Sequence, residues 1–393
     1  MKIGLILTNT PSYSETFFRS KIEGLQAHGH QVILVTAKKD SHFSLCEQLA
    51  HPKIYKNKAL QLVMMLKVFL GMVFYYKSVA AFYQLEKKEQ TPVKRIIEKI
   101  YINATLLKLK VNWLHFGFAT VTKDRELVAR AINTRMAVSF RGYDINVYPL
   151  KHPGCYEKLW KYTDAVHSIS KDLRQKACAL GLPKSTSYQI IPPAVHDKII
   201  VEHIQVKEEN MPFEILTIAR LHYMKGIDML IDTAKLLKDE GLNFIWRIVG
   251  TGDSQSLKRY KYHIFSLGLE DVVILEGKKT HEMSLKLLDE TDFYVQTSYT
   301  EGFCNALLEA QAKGKLCLAF NSGGISENIL RDRTGVLIDE VCRNALTKGI
   351  IETLKLPEED KINLRTEAIK RVKKEFTLEQ QQQAFLKFYR TLS

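Results

Sequence analysis

The chain has 393 residues, of which 46% are hydrophobic and 25% charged, as is typical of a globular protein with two or three domains. This balance excludes a disordered chain, and six scattered cysteines without zinc-site or disulfide spacing indicate a reduced, cytoplasmic protein. Residues 1–190 carry 29 Lys and Arg against 13 Asp and Glu, a net charge of +16, whereas residues 191–393 carry 28 against 30. An anionic substrate, an anionic membrane, a nucleic acid or a solvated basic surface would each explain the basic half.

The first half of the chain alternates apolar runs with amphipathic helical segments. The run at 2–8, the helical periodicity at 14–29 and the run at 31–37 predict a strand, a helix and a second, parallel strand. After a helical stretch at 59–110, the alternation predicts the strands 111–116, 136–142, 164–170 and 188–193 and the helices 122–132 and 170–181. This order is typical of a doubly wound α/β domain.

Residues 59–85 are rich in Leu, Met, Phe and Tyr. Lys67 and Lys77 interrupt this stretch before it reaches the ~20 apolar residues of a transmembrane helix, so we predict no membrane span. Lys87 and Lys88 follow it, and lysines within and beside an apolar helix are typical of helices that lie in a membrane interface. The alternative is that these helices pack inside the first domain.

Pro192 and Pro193 mark a domain boundary, because proline ends both helices and strand ladders. Apolar and amphipathic runs then predict the strands 213–221, 244–250, 272–277, 292–298, 315–320 and 334–339 and, among the helices, 226–241, 305–314, 358–376 and 377–391. We therefore predict two Rossmann-like domains, 1–192 and 193–377, with the C-terminal helix 378–393 packing back on the first. Ligands of such sheets bind at the carboxyl ends of the strands, so a cleft between the two domains is the predicted site.

The pair Glu301 and Glu309 is the strongest chemical signal. Glu301 follows a predicted strand, and Glu309 lies one turn into the helix that begins near Asn305, so both carboxylates are expected to face one crevice. A carboxylate accepts two hydrogen bonds from the diol of a ribose or sugar. Free backbone N–H groups of residues 302–305 would favour an anionic or hydroxyl-rich ligand at the same place.

Arg220 and Lys225 form the second signal. They flank the end of one predicted strand and the start of the helix that begins at Gly226. Arginine binds phosphate oxygens bidentately, lysine adds a point charge, and the helix dipole adds to the positive potential. This arrangement outlines a pyrophosphate site.

Further motifs lie at Pro11–Phe17, His28–Val32, Ile218–Leu221 with Lys225-Gly226, Ile248–Asp253, and Asp292–Ser298 with Glu301-Gly302. With them the chain resembles, over nearly its whole length, the bacterial group 1 glycosyltransferases, often called family 4. The first of these motifs is similar to the N-terminal loop of the branch that builds exopolysaccharides and colanic-acid-like polymers. The resemblance implies an α/β protein of the GT-B fold, with two facing Rossmann-like domains and a ligand cleft between them.

The resemblance also implies roles for residues of the donor site. Glu309 would hold the ribose diol, and Glu301 would hold hydroxyl groups of the donor sugar. Arg220 and Lys225 would neutralise the departing diphosphate. The other donor-site residues that it implies are Gly302, Phe303 and Cys304 beside Glu301, Asn305 at the helix start, Gly250 in the turn after the preceding strand, and Gly277 and Lys278 in the base-binding loop.

Arg141 stands where the family often has the histidine of a His-Gly-x-Asp motif that faces the donor sugar and its leaving group. An arginine there can donate hydrogen bonds to an anion but cannot act as a base near neutral pH. With that difference, the resemblance implies a catalytic role for Arg141. On the acceptor side it implies Ser14, Glu15, His115 and Asp144 as loop residues.

The activity that the resemblance implies is retaining, metal-independent transfer of a hexose from a nucleoside diphosphate donor, UDP rather than GDP. The implied acceptor is a glycan or a polyprenyl-diphosphate-linked sugar in bacterial surface polysaccharide synthesis. No two aspartates in the chain are separated by a single residue, so the Asp-x-Asp metal motif of the other large glycosyltransferase fold is missing. We expect no cofactor, no metal and no nucleic-acid partner, and a cytoplasmic protein that associates with the inner face of the cell membrane.

Three alternatives stay open at this point. Gly250-Thr-Gly252 is part of a dinucleotide-binding fingerprint and would fit an NAD-dependent dehydrogenase, but its third glycine would fall at Gln255. A nucleotide-sugar epimerase of the same architecture is the second alternative. The third is a non-enzymatic adaptor for nucleic acid or membrane, favoured only by the basic first half.

Overall fold

Two separate parallel sheets organise the chain. The structure is a computed structural model that describes residues 1–11, 16–204 and 212–390. The chain divides into two compact units. The first comprises Met1–Ile169, Leu173–Ile191 and the chain from Gln382 onward, and the second comprises Ser170–Asp172 and Pro192–Gln381.

The first unit contains a seven-stranded sheet with helices around it. Its strands are β1 (Lys2–Ile6), β2 (Gln31–Thr36), β3 (Glu47–Ala50), β4 (Trp113–Phe116), β5 (Arg135–Phe140), β6 (Ala165–Ser168) and β7 (Ser187–Ile190). Its helices are α1 (Thr16–Ala27), α2 (Lys58–Leu70), α3 (Tyr76–Lys88), α4 (Val93–Ile102), α5 (Ala104–Leu107), α6 (Val128–Ala131), α7 (Tyr148–Lys151), α8 (Glu157–Tyr162) and α9 (Lys171–Ala179). The strand order is β3-β2-β1-β4-β5-β6-β7, so the chain reverses direction across the sheet at β1.

The second unit repeats this plan with six parallel strands. They are β8 (Phe213–Ile218), β9 (Phe244–Val249), β10 (Val273–Gly277), β11 (Phe293–Gln296), β12 (Leu316–Phe320) and β13 (Val336–Ile338). Its helices are α10 (Ile227–Asp239), α11 (Ser254–Ser266), α12 (His281–Glu290), α13 (Asn305–Ala312), α14 (Ile325–Asn328), α15 (Arg343–Leu354) and α16 (Glu358–Glu375). The last helix, α17 (Leu378–Arg390), begins in the second unit and lies mostly in the first. The order β10-β9-β8-β11-β12-β13 reverses between β8 and β11, the kind of point at which ligands bind.

The predicted strands of both halves are confirmed, but one strand was not predicted and one predicted helix is wrong. The edge strand β3 was not predicted, because its sequence Glu-Gln-Leu-Ala lacks the β-branched and aromatic residues that mark strands. The helix predicted over 122–132 is broken into a 3₁₀ turn that ends at Thr122 and the short helix α6. Asp124 between them adopts a left-handed backbone conformation, with φ of 65°, which no α-helix accommodates.

No single described helix is long and apolar enough to cross a membrane. Helix α2 and the stretch Val73–Lys88 reach the required length only as a pair, and the pair is bent by 60°.

Helix α17 completes the core of the first unit. Its Phe385 and Tyr389 are buried in the same cluster as Ile3 of β1 and Trp113 of β4. The Tyr389 ring meets the Trp113 ring edge-on at 5.8 Å, and Phe385 packs edge-on against Phe17 of α1 at 5.6 Å. The last helix therefore supplies large apolar side chains that the first sheet needs in order to cover its strands.

We expect Phe385→Ala to lower the free energy of unfolding by about 3–5 kcal/mol, because it leaves a cavity among buried rings. Urea denaturation measures this loss. The control Gln383→Ala removes an exposed side chain from the same helix and should change stability by less than about 0.5 kcal/mol. Equal effects of the two substitutions would contradict the packing of α17 on the first sheet.

Candidate functional site

The carboxyl ends of β8, β9 and β11 surround a cavity of about 450 Å³ in the second unit. It lies where the strand order of this sheet reverses. Eight of the residues predicted for the donor site line it: Arg220, Lys225, Gly250, Lys278, Glu301, Phe303, Cys304 and Asn305. Lys279 and Ser284, which the sequence analysis did not identify, line it as well.

The segment that carries Lys225 is fastened to the end of β11. Thr297 donates its hydroxyl hydrogen to the carbonyl of Lys225 at 2.8 Å, and the Tyr299 amide donates to the carbonyl of Met224 at 2.9 Å. Gly226 follows with a φ of 63°, and a Cβ atom there would lie 2.0 Å from the Thr297 carbonyl oxygen. Only glycine therefore allows this close approach, which brings Lys225 to the cavity.

Glu301 is 9% exposed and is held by two hydrogen-bond donors. The Lys225 ammonium group forms an ion pair with its Oε1 atom, and the Ser298 hydroxyl donates to the same oxygen at 2.9 Å. A buried carboxylate requires such compensation, because removing it from water is expensive. The ion pair fixes the Glu301 carboxylate and the Lys225 ammonium group side by side at the cavity wall.

A chain of buried hydrogen bonds extends from Glu301 into the sheet. The Ser298 hydroxyl oxygen accepts a hydrogen bond from the side-chain N–H of Gln296 at 2.7 Å, and the side-chain Oε1 atom of Gln296 accepts one from the Tyr294 hydroxyl at 2.8 Å. Gln296 is buried in β11. Its amide links Tyr294 to Ser298, which explains how a polar side chain is accommodated in the interior of this sheet.

Gly323 and Gly324, which follow β12, lie directly against the backbone of Glu301 and Gly302. The Gly324 amide donates to the Glu301 carbonyl at 2.8 Å, and a Cβ atom on Gly324 would lie 2.1 Å from the Gly302 carbonyl oxygen. The Ser322 hydroxyl donates to the Ser298 carbonyl at 2.7 Å. The sequence analysis missed this segment, although two consecutive glycines after a predicted strand are a detectable signal of close backbone approach.

The prediction that all backbone N–H groups of residues 302–305 are free is wrong. The Cys304 amide donates to the side-chain carbonyl of Asn328 at 3.0 Å, and the Asn328 amide donates back to the Cys304 carbonyl at 3.1 Å. This pairing fixes the residue that precedes α13. Burial raises the pKa of the Cys304 thiol to about 12, so the thiol is neutral and acts as packing at the cavity wall.

Glu309 lies on α13 outside the residues that line the cavity. Its Oε1 atom accepts a hydrogen bond from Nε2 of His281, the first residue of α12, at 2.8 Å. This bond to the carboxylate raises the pKa of His281. His281 is a partner that the sequence analysis did not identify, since 28 residues separate the two side chains.

The cavity is electrically positive. Arg220 and Lys278 are exposed at its wall, and neither forms an ion pair within residues 1–11, 16–204 and 212–390. Lys279 is neutralised by Glu276 at 2.9 Å, and Lys225 by Glu301. Two uncompensated cations beside two compensated ones favour an anionic ligand.

Gly250 places the end of β9 directly beside the end of β8. Its φ is 145°, and a Cβ atom there would lie 1.9 Å from the carbonyl oxygen of Ala219, the residue before Arg220. The Gly250 amide donates to the carbonyl of Gly277 at 2.9 Å. Gly277, which was predicted in the base-binding loop, therefore does not line the cavity but accepts a hydrogen bond from Gly250, which does.

In the first unit, Arg141 lies in an aromatic cluster. Its guanidinium is 4.2 Å from the ring centroid of Phe17 and 5.0 Å from that of Phe18. The Arg141 amide donates to Asp144 Oδ2 at 3.0 Å, and the Thr120 amide and hydroxyl donate to Oδ1. Burial raises the pKa of Asp144 despite these bonds. Asp144 is 1% exposed, so its prediction as an accessible loop residue is wrong.

His115 is likewise not a loop residue. It lies in β4 and is fully buried, with Nδ1 bonded to the Tyr389 hydroxyl at 2.5 Å and Nε2 to the Ser139 hydroxyl at 2.7 Å. Lys21 of α1 is 3.1 Å from the same Nδ1 atom. Burial holds the pKa values of His115 and Lys21 well below their ordinary ranges. His115 therefore belongs to the core of the first unit and cannot contact an acceptor.

The other two acceptor-side predictions, Ser14 and Glu15, lie outside the described residues. Within the described part of the chain, no three His, Cys, Asp or Glu side chains are grouped so that they could hold a metal ion.

Comparison with known proteins identifies the class. Residues 200–375 match the family described as Glycosyl transferases group 1. The chain is 28% identical to the putative colanic acid biosynthesis glycosyltransferase WcaL of Salmonella typhimurium over 271 residues, covering 67% of this chain and 66% of that protein. It is 28% identical to the amylovoran biosynthesis glycosyltransferase AmsK of Erwinia amylovora over 281 residues, covering 67% and 65%. The matches thus span just under two thirds of these relatives.

Solved structures share the fold of the whole chain. The sucrose-phosphate synthase of Thermosynechococcus elongatus superposes with a TM-score of 0.74 at 17% identity, covering 100% of this chain and 98% of that one. Anabaena HepE in complex with UDP and glucose superposes with a TM-score of 0.73 at 14% identity and covers 100% of both chains. Residues 200–375 are thus similar to the group 1 glycosyl transferases, and the fold of the whole chain is the GT-B fold. Neither the dehydrogenase nor the epimerase alternative is favoured by these matches.

The buried hydrogen-bond chain predicts that Tyr294 and Gln296 are energetically coupled. In a double-mutant cycle, Gln296→Leu leaves the Tyr294 hydroxyl only the distant Ile218 carbonyl at 3.5 Å as an acceptor, whereas Tyr294→Phe removes that hydroxyl. The two losses should therefore overlap by about 1 kcal/mol. Urea denaturation of the four proteins measures the coupling. The matched pair Gln296→Leu and Tyr260→Phe, whose side chains share no hydrogen bond, should be additive within about 0.5 kcal/mol. Additivity of the first pair would contradict the hydrogen-bond chain.

Proposed function

We propose that the chain transfers a hexose from a nucleoside diphosphate sugar to an acceptor in the synthesis of a bacterial surface polysaccharide. The observation that carries this proposal is the positive cavity at the carboxyl edge of the second sheet, with the buried Glu301 at its wall. Cations there match a diphosphate, and a fixed carboxylate matches sugar hydroxyls. The names of the two relatives, which refer to colanic acid and amylovoran biosynthesis, support the polysaccharide context.

The donor in this proposal is a UDP-sugar. Arg220 and Lys225 bind the diphosphate, Glu301 binds hydroxyls of the sugar, and Glu309 binds the ribose diol. Structures of Anabaena HepE that contain UDP and UDP-glucose support this choice, since they share the fold of the chain. The pairing of Glu309 with His281 gives the carboxylate a fixed orientation in which further hydrogen bonds from a ribose can be accepted.

The reaction proceeds with retention at the anomeric carbon and needs no metal. The bond between the sugar and the β-phosphate oxygen breaks toward an oxocarbenium-like state, and negative charge accumulates on the leaving diphosphate. Preorganised cations aimed at that charge supply the stabilisation. Lys225 has three N–H donors, so it can keep its bond to Glu301 while another N–H group meets a phosphate oxygen. A catalytic role for Arg141 of the first unit stays a prediction.

The acceptor in this proposal is a glycan or a polyprenyl-diphosphate-linked sugar. Such an acceptor lies at the cytoplasmic face of the membrane, and the excess of basic residues in the first half supports peripheral association with that anionic surface.

We expect Arg220→Ala and Lys225→Ala to weaken the binding of UDP at least about tenfold and that of uridine much less, because each removes a charge-assisted contact to phosphate. Isothermal titration calorimetry with both ligands measures the difference. Arg259→Ala is the control, since this exposed arginine on α11 pairs with Asp228 and does not line the cavity. If UDP and uridine lose affinity equally, the assignment of the diphosphate to these cations is wrong.

We expect Glu301→Gln and Glu309→Gln each to slow sugar transfer by roughly 100-fold or more, since each weakens hydrogen bonds to the donor that orient it for reaction. The measurement is release of UDP from a donor identified by binding, in the presence of an acceptor. Glu282→Gln, an exposed glutamate on α12, is the control.

Excess EDTA should leave the wild-type rate within about tenfold, and a larger loss would contradict the metal-free mechanism.

A further inference from the structure

Helix α2 exposes its apolar side chains on the outer surface of the first unit. None of its residues is buried. Met64 and Val68 are half-buried on its inner face, whereas Leu62, Leu66 and Leu70 on the opposite face are exposed by 61%, 57% and 73%. A helix of a water-soluble domain usually places charged and polar residues at such positions. The outward face of α2 therefore suits an apolar environment.

The same surface continues beyond the end of the helix. Val73 is 60% exposed, and Phe74 is 92% exposed. We define the α2 surface as Leu62, Val63, Leu66, Leu70, Val73 and Phe74. Contiguous exposed apolar side chains of this kind mark a surface that is covered by a partner or by lipid.

The charged residues of the chain segment that carries the α2 surface are all lysines. Between residues 48 and 85 the chain has five lysines and no aspartate or glutamate. The lysines are exposed and lie at Lys53, Lys56, Lys58, Lys67 and Lys77. A second copy of this face would bring like charges together, which disfavours a symmetric dimer. An anionic lipid surface complements both the charges and the apolar side chains.

A basic crevice opens beside the inner face of α2. It has a volume of about 770 Å³ and is lined by Val68 and Tyr75 on the helical side. Four lysines line it, with Glu47 as the only carboxylate among its lining residues; the lysines are Lys2, Lys39, Lys108 and Lys110. This excess of positive charge is suited to the phosphate of a lipid headgroup whose acyl chains lie along α2.

The helix that follows α2 is anchored in the first unit. Helix α3 is anchored in the first unit through Glu86, which is fully buried and is 3.0 Å from both Lys99 of α4 and Lys158 of α8. This carboxylate and its two lysines hold α3 in the first unit, and α2 lies beyond a 60° bend from the stretch 73–88. Breaking such a buried pair is strongly destabilising.

From these observations we propose that the α2 surface inserts shallowly into an anionic lipid leaflet, with the surrounding lysines meeting the headgroup phosphates. The inference concerns the first unit alone and does not depend on the donor chemistry of the second. Apolar insertion and lysine–phosphate attraction act together, so binding requires anionic lipid and weakens as salt screens the charges.

Flotation of the purified full chain with vesicles tests this proposal. Vesicles of phosphatidylcholine with 30% phosphatidylglycerol are compared with pure phosphatidylcholine vesicles, at low and high salt. The test variant is the triple substitution Leu62→Ser, Leu66→Ser and Leu70→Ser. The matched control is Tyr262→Ser with Phe265→Ser, which removes two exposed apolar side chains from α11 of the second unit. Thermal unfolding and UDP titration are measured for every protein.

We expect the wild type and the α11 variant to float with anionic vesicles, and the α2 variant to partition at least about tenfold less. All exchanged side chains are exposed, so unfolding temperatures should be unchanged. The proposal is overturned if the wild type stays in solution with anionic vesicles at low salt, or if both variants lose flotation equally. It is also overturned if the α2 variant floats like the wild type. A further contradicting result is a wild-type dimer that does not float and that the α2 substitutions convert to a monomer. The UDP titration reports on the donor site separately, so a loss of flotation can be distinguished from a failure of that site.

Discussion

The buried carboxylate of Glu301 is the constraint on which the candidate site depends. Taking a carboxylate out of water is unfavourable unless opposite charge and hydrogen-bond donors replace the lost solvation. Lys225 and Ser298 supply this compensation. To reach Glu301, the Lys225 segment must pass against Thr297, which requires glycine at position 226. The position of Lys225 at the cavity thus follows from the need to stabilise one buried charge.

Local patterns in the sequence were sufficient to predict every described strand except β3, the helix α13 and the cluster of Arg220, Lys225 and Glu301. These residues lie at the ends of regular elements, and the carboxyl ends of parallel strands meet at one edge of a sheet. The partners His281 and Asn328 were not predictable, because their bonds to Glu309 and Cys304 join distant segments. Nothing in periodicity specifies which long-range hydrogen bonds form.

The first unit shows the same limit in a different way. The resemblance implied that His115 and Asp144 are loop residues on the acceptor side, yet both are buried. His115 lies beside Tyr389 of α17, which is 274 residues away in sequence. For α2 the sequence left two alternatives, a membrane interface or the interior of the domain, because a mainly apolar helix has a similar pattern in both settings. The structure excludes the interior, since none of its residues is buried.

The central claim is that the cavity of the second unit binds a nucleoside diphosphate sugar. Thermal and denaturant unfolding in the presence of UDP-, GDP- and dTDP-sugars, with NAD as a comparison, tests it most directly. A donor present at 100 times its Kd should raise the free energy of unfolding by about 2.7 kcal/mol, and Arg220→Ala with Lys225→Ala should abolish that gain. Stabilisation by NAD alone, or by none of the nucleotide sugars at millimolar concentration, would contradict the account.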